Sequence, residues 1–320
     1  MTPPAADPLW WADPAQKPRI EADPAGVLRE YGVNVSAATP ARAVLDTLRL
    51  VSVVWVDGQL VSRDRFHLDP FDQGLVYGRG AWEATRTVGG VPWLWREHLD
   101  RLRHTASLLG IDLTPHALPD EAEVMRFVRQ LTAADVVVRL NVTAGQPHRP
   151  GVLWMTASLR NAPRASVKLR TARSPVPPGH PDLAWKSFQY AGRYRVAAEA
   201  TAAGFDGALL VDATGTVLES DCANVFVRLP EGWVTPAADA DLFLPGTVRN
   251  HVLKSGPLPV TEVNLPASRL PEASELFLTN SNLGAVPVSG LDGRPLAVGE
   301  ETLRFVRWLT PVAGDAGGRV

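Results

Sequence analysis

Cysteine is almost missing from this 320-residue sequence. Cys222 is the only one, so no disulfide can form within the chain. Lysine is nearly as scarce: Lys17, Lys168, Lys186 and Lys254 stand among 32 basic residues, which makes each of them conspicuous. Neither sign of charge dominates. The net charge of −2 gives no reason to expect nucleic acid or an acidic membrane surface as a partner. No apolar run reaches the roughly 20 residues of a membrane span. The histidines at 67, 98, 104, 116, 148, 180 and 251 lack metal-ligand spacing, and no cysteine cluster joins them, so no metal is expected. The start, Met1-Thr-Pro-Pro-Ala-Ala-Asp-Pro8, has neither a basic region nor an apolar stretch. No secretory leader is expected, and a cytoplasmic location is.

What remains is ordinary globular composition, 45% hydrophobic and 21% charged, in a chain long enough for two cores. Residues 1–50 read as an extension. Its first part is rich in Pro, Ala and Trp, and Asp23 to Val35 suits a short helix closed at Gly32; a packing arm is the preferred reading. A first domain is expected over 51–162. Asp57-Gly58 and Gly89-Gly90 are hairpin turns between apolar runs. Glu97 to Leu109 is an amphipathic helix with Leu99, Leu102, Ala106 and Leu109 inward, and Asp120 to Ala133 is a second helix. Val136 to Thr143 and Val152 to Ala157 are strands. The prolines of 163–181 suggest a connection between domains. A larger domain follows over 182–312, and 313–320 read as a loose tail.

The larger domain is organised around Lys186. It follows Pro175 to Pro181 and is expected to open a helix over Ser187 to Ala203, with Phe188, Ala191, Tyr194 and Ala198 on one face. A hairpin of Ala208 to Asp212 and Thr216 to Ser220 comes next. Glu219 shares a strand face with Val217, which puts a carboxylate on an apolar surface. Leu244-Pro-Gly-Thr-Val-Arg249 turns into a helix whose first N–H groups, near Thr247 and Val248, make an anion site. A loop lysine, a half-buried glutamate and a phosphate cradle are the fixed parts of a pyridoxal phosphate site. Singly each is weak, since a lone lysine is usually a solvated surface residue.

Order and spacing raise the signal. From about Val53 to about Arg307 the sequence resembles the class IV aminotransferases. The resemblance rests on Val54-Trp-Val-Asp-Gly58, Asp72-Gln-Gly-Leu-Val-Tyr-Gly-Arg-Gly-Ala-Trp-Glu83, Glu97-His-Leu-Asp-Arg-Leu102, Lys186, Glu219-Ser-Asp-Cys-Ala-Asn-Val-Phe226, Pro245-Gly-Thr-Val-Arg249 and Leu278-Thr-Asn-Ser-Asn-Leu-Gly-Ala-Val-Pro-Val288. That group holds branched-chain aminotransferases, D-amino acid transaminases and 4-amino-4-deoxychorismate lyases. The resemblance implies a mixed α/β, α+β-like two-domain chain of the D-amino acid aminotransferase-like, fold type IV architecture, pyridoxal 5'-phosphate as cofactor, and a homodimer acting on a small carboxylate substrate.

It also implies roles. Lys186 would form the Schiff base and act as the catalytic base, and Glu219 would hold the ring nitrogen. Arg101, Thr247, Val248 and Ser281 would hold the phosphate. Tyr190 lies near a position where relatives place a tyrosine at the ring hydroxyl. Arg139, a charge inside an apolar strand, would meet a substrate carboxylate. Arg149 is a second basic position, with simple solvation as the alternative, and Glu83 either lines the pocket or is structural. Arg79 stands where relatives often carry an acidic residue. Lyase wording in Leu278 to Val288 and the Arg139/Arg149 pair favour 4-amino-4-deoxychorismate lyase, giving 4-aminobenzoate and pyruvate. Transamination of a branched-chain amino acid, a D-amino acid or an amine by the same site is the alternative. A relative that has lost catalysis and serves as a partner subunit is the third reading.

Overall fold

The computed structural model describes residues 17–23, 26, 46, 49–160, 164–177, 180, 184–238 and 242–310. The expected helix closed at Gly32 and the tail 313–320 lie outside the described residues. A short helix, α1 (Lys17–Ala22), lies in the extension. The chain divides into two compact units, Met1–Arg160 and Asn161–Val320.

The first unit is a six-stranded sheet under two helices. Its strands are β1 (Val53–Val56), β2 (Gln59–Ser62), β3 (Gly80–Val88), β4 (Val91–Pro92), β5 (Val136–Thr143) and β6 (Leu153–Leu159), in the order β2-β1-β6-β5-β3-β4. All pairs are antiparallel. Both expected turns take positive φ at their two central residues, Asp57-Gly58 and Gly89-Gly90, the geometry that matches strand twist. The short helix α2 (Gln73–Tyr77) is capped by Asp72, whose Oδ1 accepts from Gly74 N–H at 2.7 Å. Helices α3 (Trp95–Leu108) and α4 (Glu121–Leu131) cover one sheet face.

Alternation along the strands sorts the side chains. Ala81 on β3, Val138, Leu140 and Val142 on β5, and Met155 on β6 enter one core with Leu99, Leu102, Phe127 and Leu131. Glu83 sits on that core face, opposite Leu140. The other face carries Trp82, Ala84 and Arg86 from β3, set against Asn141, Arg139 and Val137 from β5.

The second unit is a nine-stranded sheet. Its strands are β7 (Val167–Arg173), β8 (Gly207–Val211), β9 (Val217–Ser220), β10 (Asn224–Leu229), β11 (Gly232–Pro236), β12 (Val260–Val263), β13 (Glu275–Asn280), β14 (Gly284–Leu291) and β15 (Arg294–Pro295). The order is β12-β11-β10-β13-β14-β7-β8-β9, with β15 on β14. Strands β8, β10 and β13 are buried along nearly their whole length and read as near-continuous apolar runs. Val225, Val227, Leu276 and Leu278 enter one cluster. On the other face Phe226 stacks on Phe277 at 4.7 Å, with Trp233 and Phe305 edge-on or tilted around them.

Two expectations fail in this unit. The stretch 163–181, read as a connection, contains β7, which pairs in parallel with both β14 and β8. Val167 and Leu169 alternate with Lys168 and Arg170 there, and the period of two was masked by the prolines that follow. Lys186 does not open the helix either. The helix is α5 (Ala191–Ala202), entered through Tyr190. Its buried residues are Arg193, Val196 and Ala200, and Tyr194, on the face shared with Ala191 and Ala198, is 73% exposed. Two more helices complete the unit, α6 (Thr247–Ser255) and α7 (Glu300–Trp308).

Candidate active site

Lys186 lies on the loop before α5 and is half-buried. Its Nζ donates to Tyr190 Oη at 3.5 Å. A spacing of four residues brings the two side chains together although the segment is not helical.

Glu219 on β9 is 4% exposed. Arg193 Nη2 donates to its Oε1 at 2.6 Å, and Leu244 N–H to the same oxygen at 3.3 Å. Asn224 Nδ2 donates to Oε2 at 3.2 Å. A carboxylate offers about four acceptor positions, so one remains, on Oε2. Asn224 does more than hold the carboxylate. Its Nδ2 also donates to Leu244 O at 2.9 Å, and its Oδ1 accepts Gly246 N–H at 3.1 Å. A Cβ on Gly246 would fall 2.1 Å from that Oδ1, so only glycine fits. Asn224 therefore ties Glu219 to the start of α6.

Gly246 is the N-cap of α6 and has no side chain with which to satisfy the first-turn N–H groups. These belong to Thr247 and Val248, both buried, at the positive end of the helix dipole. Thr247 Oγ1 lies 3.2 Å from Ser281 Oγ, and both hydroxyls are buried. Ser281 follows β13, four positions beyond Phe277. Donors of this kind suit a phosphate. A tethered amine, a carboxylate with one acceptor position left and an N–H cradle with two hydroxyls together fit pyridoxal phosphate.

In the first unit Arg101 reaches Glu83 through two parallel bonds, Nε to Oε1 at 2.7 Å and Nη2 to Oε2 at 2.8 Å. His98 Nδ1 lies 2.6 Å from the same Oε2. Glu83 is fully buried. Burial would raise its pKa, but the Arg101 charge and hydrogen bond, and then His98, outweigh burial and hold it at about 2. Fully buried, Glu83 orients Arg101, which is the structural one of the two roles weighed for it.

Arg139 stands on the opposite sheet face. Its guanidinium lies 3.7 Å from the centre of the Trp82 ring, and its Nε donates to Asn141 Oδ1 at 2.8 Å. Arg149 does not join it. That side chain is 72% exposed and pairs with Asp69 at 3.1 Å, in line with the solvated reading of the two weighed for it. Arg86, passed over in the sequence, shares Arg139's face and lies over Trp93 at 3.9 Å. Burial pushes its pKa down to about 9, Arg160 adding to the shift and Asp135 opposing it.

Arg79 has a structural task. Its Nη2 donates to Leu109 O at 2.8 Å and to Gly110 O at 3.3 Å, and Nη1 bonds Gln73. It closes the C-terminus of α3, where a cation is favoured. Cys222 is a free, exposed thiol. Among the described residues no cluster of metal-ligating side chains is found.

Sequence reasoning missed Arg193 and Asn224. Arg193, Val196 and Ala200 recur at helical spacing, but a charge on the inner stripe argued against that phase. Asn224 was visible only as one member of the Glu219 to Phe226 motif, with no role given to it.

The family model for class IV amino-transferases matches residues 80–291. A putative branched-chain-amino-acid aminotransferase of Methanocaldococcus jannaschii is 31% identical over 79% of this chain and 93% of the relative. A D-alanine aminotransferase of Listeria innocua is 29% identical over 77% of this chain and 90% of its own length. An aminodeoxychorismate lyase of Bacillus subtilis is 26% identical over 75% of this chain and 87% of its own. The PLP-bound form of a hypothetical aminotransferase from Mycobacterium tuberculosis shares the fold, with TM-score 0.70 and 23% identity over 80% of this chain and 97% of that one. The chain belongs to the class IV aminotransferases. It is a mixed α/β enzyme of fold type IV that depends on pyridoxal phosphate.

Proposed function

We propose that the protein is a transaminase for an amino acid with a free carboxylate. Lys186 is the catalytic base, and Glu219, Thr247, Val248 and Ser281 hold the cofactor. The observation that carries this reading is the linked set in the second unit: Glu219 and the α6 start are tied through Asn224, and Lys186 leans on Tyr190. Bound pyridoxal phosphate supplies the electron sink. Lys186 Nζ takes the proton from the amine-bearing carbon of the substrate and returns it nearby, and Tyr190 Oη steers that amine. Glu219 accepts from the ring nitrogen, and the α6 N–H groups with the Thr247 and Ser281 hydroxyls bind phosphate. Arg101 is assigned to the phosphate as well, with Glu83 and His98 fixing its guanidinium. Arg139 is assigned to a substrate carboxylate, which suits an arginine already flattened on an indole.

The finer lyase reading stands second. Leu278 to Val288 favours it, as does the likeness to the Bacillus subtilis lyase. The exposed, Asp69-paired Arg149 gives that reading less support than a buried second arginine would. A homodimer in the cytoplasm completes the proposal. Its support is a cluster of exposed apolar side chains on and beside α2, Phe71, Leu75, Val76 and Tyr77, more than a monomer usually leaves to water. A monomer by light scattering would refute it.

The test is a paired assay on cofactor-loaded protein. One arm offers amino acids with 2-oxoglutarate or pyruvate, and the other offers 4-amino-4-deoxychorismate. Keto-acid formation that vanishes in Lys186→Ala is the expected result. Aminobenzoate formation without keto acid would replace the transaminase by the lyase.

A further inference from the structure

The carboxylate assigned to the cofactor's ring nitrogen already has a cation against it. Arg193 Nη2 lies 2.6 Å from Glu219 Oε1, within the range of a strong charge-assisted bond. Arg193 is 8% exposed and Glu219 4%, so their attraction is little screened. Burial works against the guanidinium's charge, but Glu219 and then Tyr190 outweigh it, and the Arg193 pKa is raised. Arg193 therefore carries its charge wherever the protein is folded.

The helix makes the contact obligatory. Arg193 is the third residue of α5, on the stripe continued by Val196 and Ala200. That stripe packs in a cluster with Ala208, Leu210, Leu218 and Phe243. Leu218 is the chain neighbour of Glu219, so the packing that seats α5 also seats the guanidinium on the carboxylate. Among the described residues, Arg193 on α5 faces Glu219 together with the neutral Asn224 and Leu244 donors; Tyr190 and Asp221 also act on Arg193, and Cys222 is the titratable group beside Glu219 and Asp221. Arg193 also stands over the Tyr190 ring at 5.5 Å.

Two cations on one anion repel each other. A ring nitrogen that binds a proton opposite Glu219 gains the attraction of the carboxylate and loses part of it to the guanidinium. Removing one positive charge a few ångströms away, at an effective dielectric of about 20, changes a proton affinity by roughly tenfold to a hundredfold.

We propose that Arg193 is a positioning residue that holds Glu219 as a partly neutralised carboxylate and so weakens the protonation of the cofactor's ring nitrogen. This rests on the assignment of Glu219 to that nitrogen. Its chemical sense is restraint. A less firmly protonated ring draws fewer electrons from the substrate carbon, so the proton taken by Lys186 is returned before it exchanges with water.

The experiment uses holoenzyme loaded with cofactor that carries 15N in the ring. The 15N shift is followed across pH in the wild type, in the neutral variants Arg193→Gln and Arg193→Met, and in the charge-preserving Arg193→Lys. Two neutral variants are made so that one folded member suffices. The expected result is a tenfold or greater rise in the ring nitrogen's proton affinity in the neutral variants, with Arg193→Lys close to wild type. Solvent deuterium should also enter recovered substrate faster in the neutral variants. Superposed titrations of wild type and neutral variants overturn the proposal, as does an equal shift in Arg193→Lys. Glu219→Gln separates the underlying assignment. A ring signal indifferent to that change means that Glu219 does not face the nitrogen, and the site reading falls with it.

Discussion

Each unit buries one carboxylate against one arginine, and the two pairs behave differently. In the first, Glu83 is closed off. Arg101 takes both oxygens side-on, His98 takes one of them again, and no surface is left. In the second, Arg193 Nη2 donates to one oxygen of Glu219, two weaker donors share the rest, and Oε2 keeps an acceptor position. A saturated ion pair is an anchor. An unsaturated one, equally buried, is a group with capacity for a further donor. The difference lies in the count of donors and not in burial, which is nearly the same.

The most severe way to break the comparison is Glu83→Ala. It leaves Arg101 and His98 without their anion and is expected to cost about 3–5 kcal/mol, read by urea unfolding. Glu219→Gln should cost much less, about 1–2 kcal/mol, because the amide oxygen still accepts from Arg193, while keto-acid formation is lost. Equal costs would mean that both carboxylates are anchors.

Acid gives the next largest contrast. The Glu83 pKa falls from 4.5 to about 2 on folding. A depressed carboxyl stabilises the folded chain above its unfolded pKa, and that contribution disappears as pH falls from about 4.5 to about 2. The shift corresponds to about 3 kcal/mol at most. Unfolding of wild type and Glu83→Gln across that window should converge in acid. Parallel curves would show that Glu83 is not the titrating group.

Smaller effects sharpen the picture at the phosphate end. Thr247→Ala or Ser281→Ala removes one hydroxyl of the buried pair and should weaken cofactor binding by about fivefold, near 1 kcal/mol each, in an equilibrium titration. Unchanged affinity in both would remove these hydroxyls from the cradle. The smallest expected change is Arg79→Gln. Losing the cation at the end of α3 should lower stability by about 1 kcal/mol and leave keto-acid formation unaltered.

Much of this was legible in the sequence. The hairpins at Asp57-Gly58 and Gly89-Gly90 carry their own turn chemistry, and the α3 stripe of Leu99, Leu102 and Ala106 is apolar at the helical period. Glu219, Thr247 and Ser281 stood out through motif order, and the structure shows where each lies. What was not legible depended on long-range partners. Glu83 and Arg101 are 18 residues apart on different elements, and only the sheet and helix together show that they meet. Arg193 gave no local signal, because the partner that makes its burial tolerable comes 26 residues later. Arg79 and Arg149 carry the same side chain in similar loop contexts, yet one caps a helix and the other lies in water. Local pattern cannot distinguish such outcomes.

Strand β3 has a practical consequence for directed evolution. Ala81, Glu83 and Thr85 point into the core, and Trp82 and Ala84 onto the opposite face beside Arg139. Residue parity is thus an address. A combinatorial library drawn from even positions of β3 and odd positions of β5 would diversify the Arg139 neighbourhood. One drawn from the complementary set would mostly return unfolded clones, and its sequencing counts would read out the core instead.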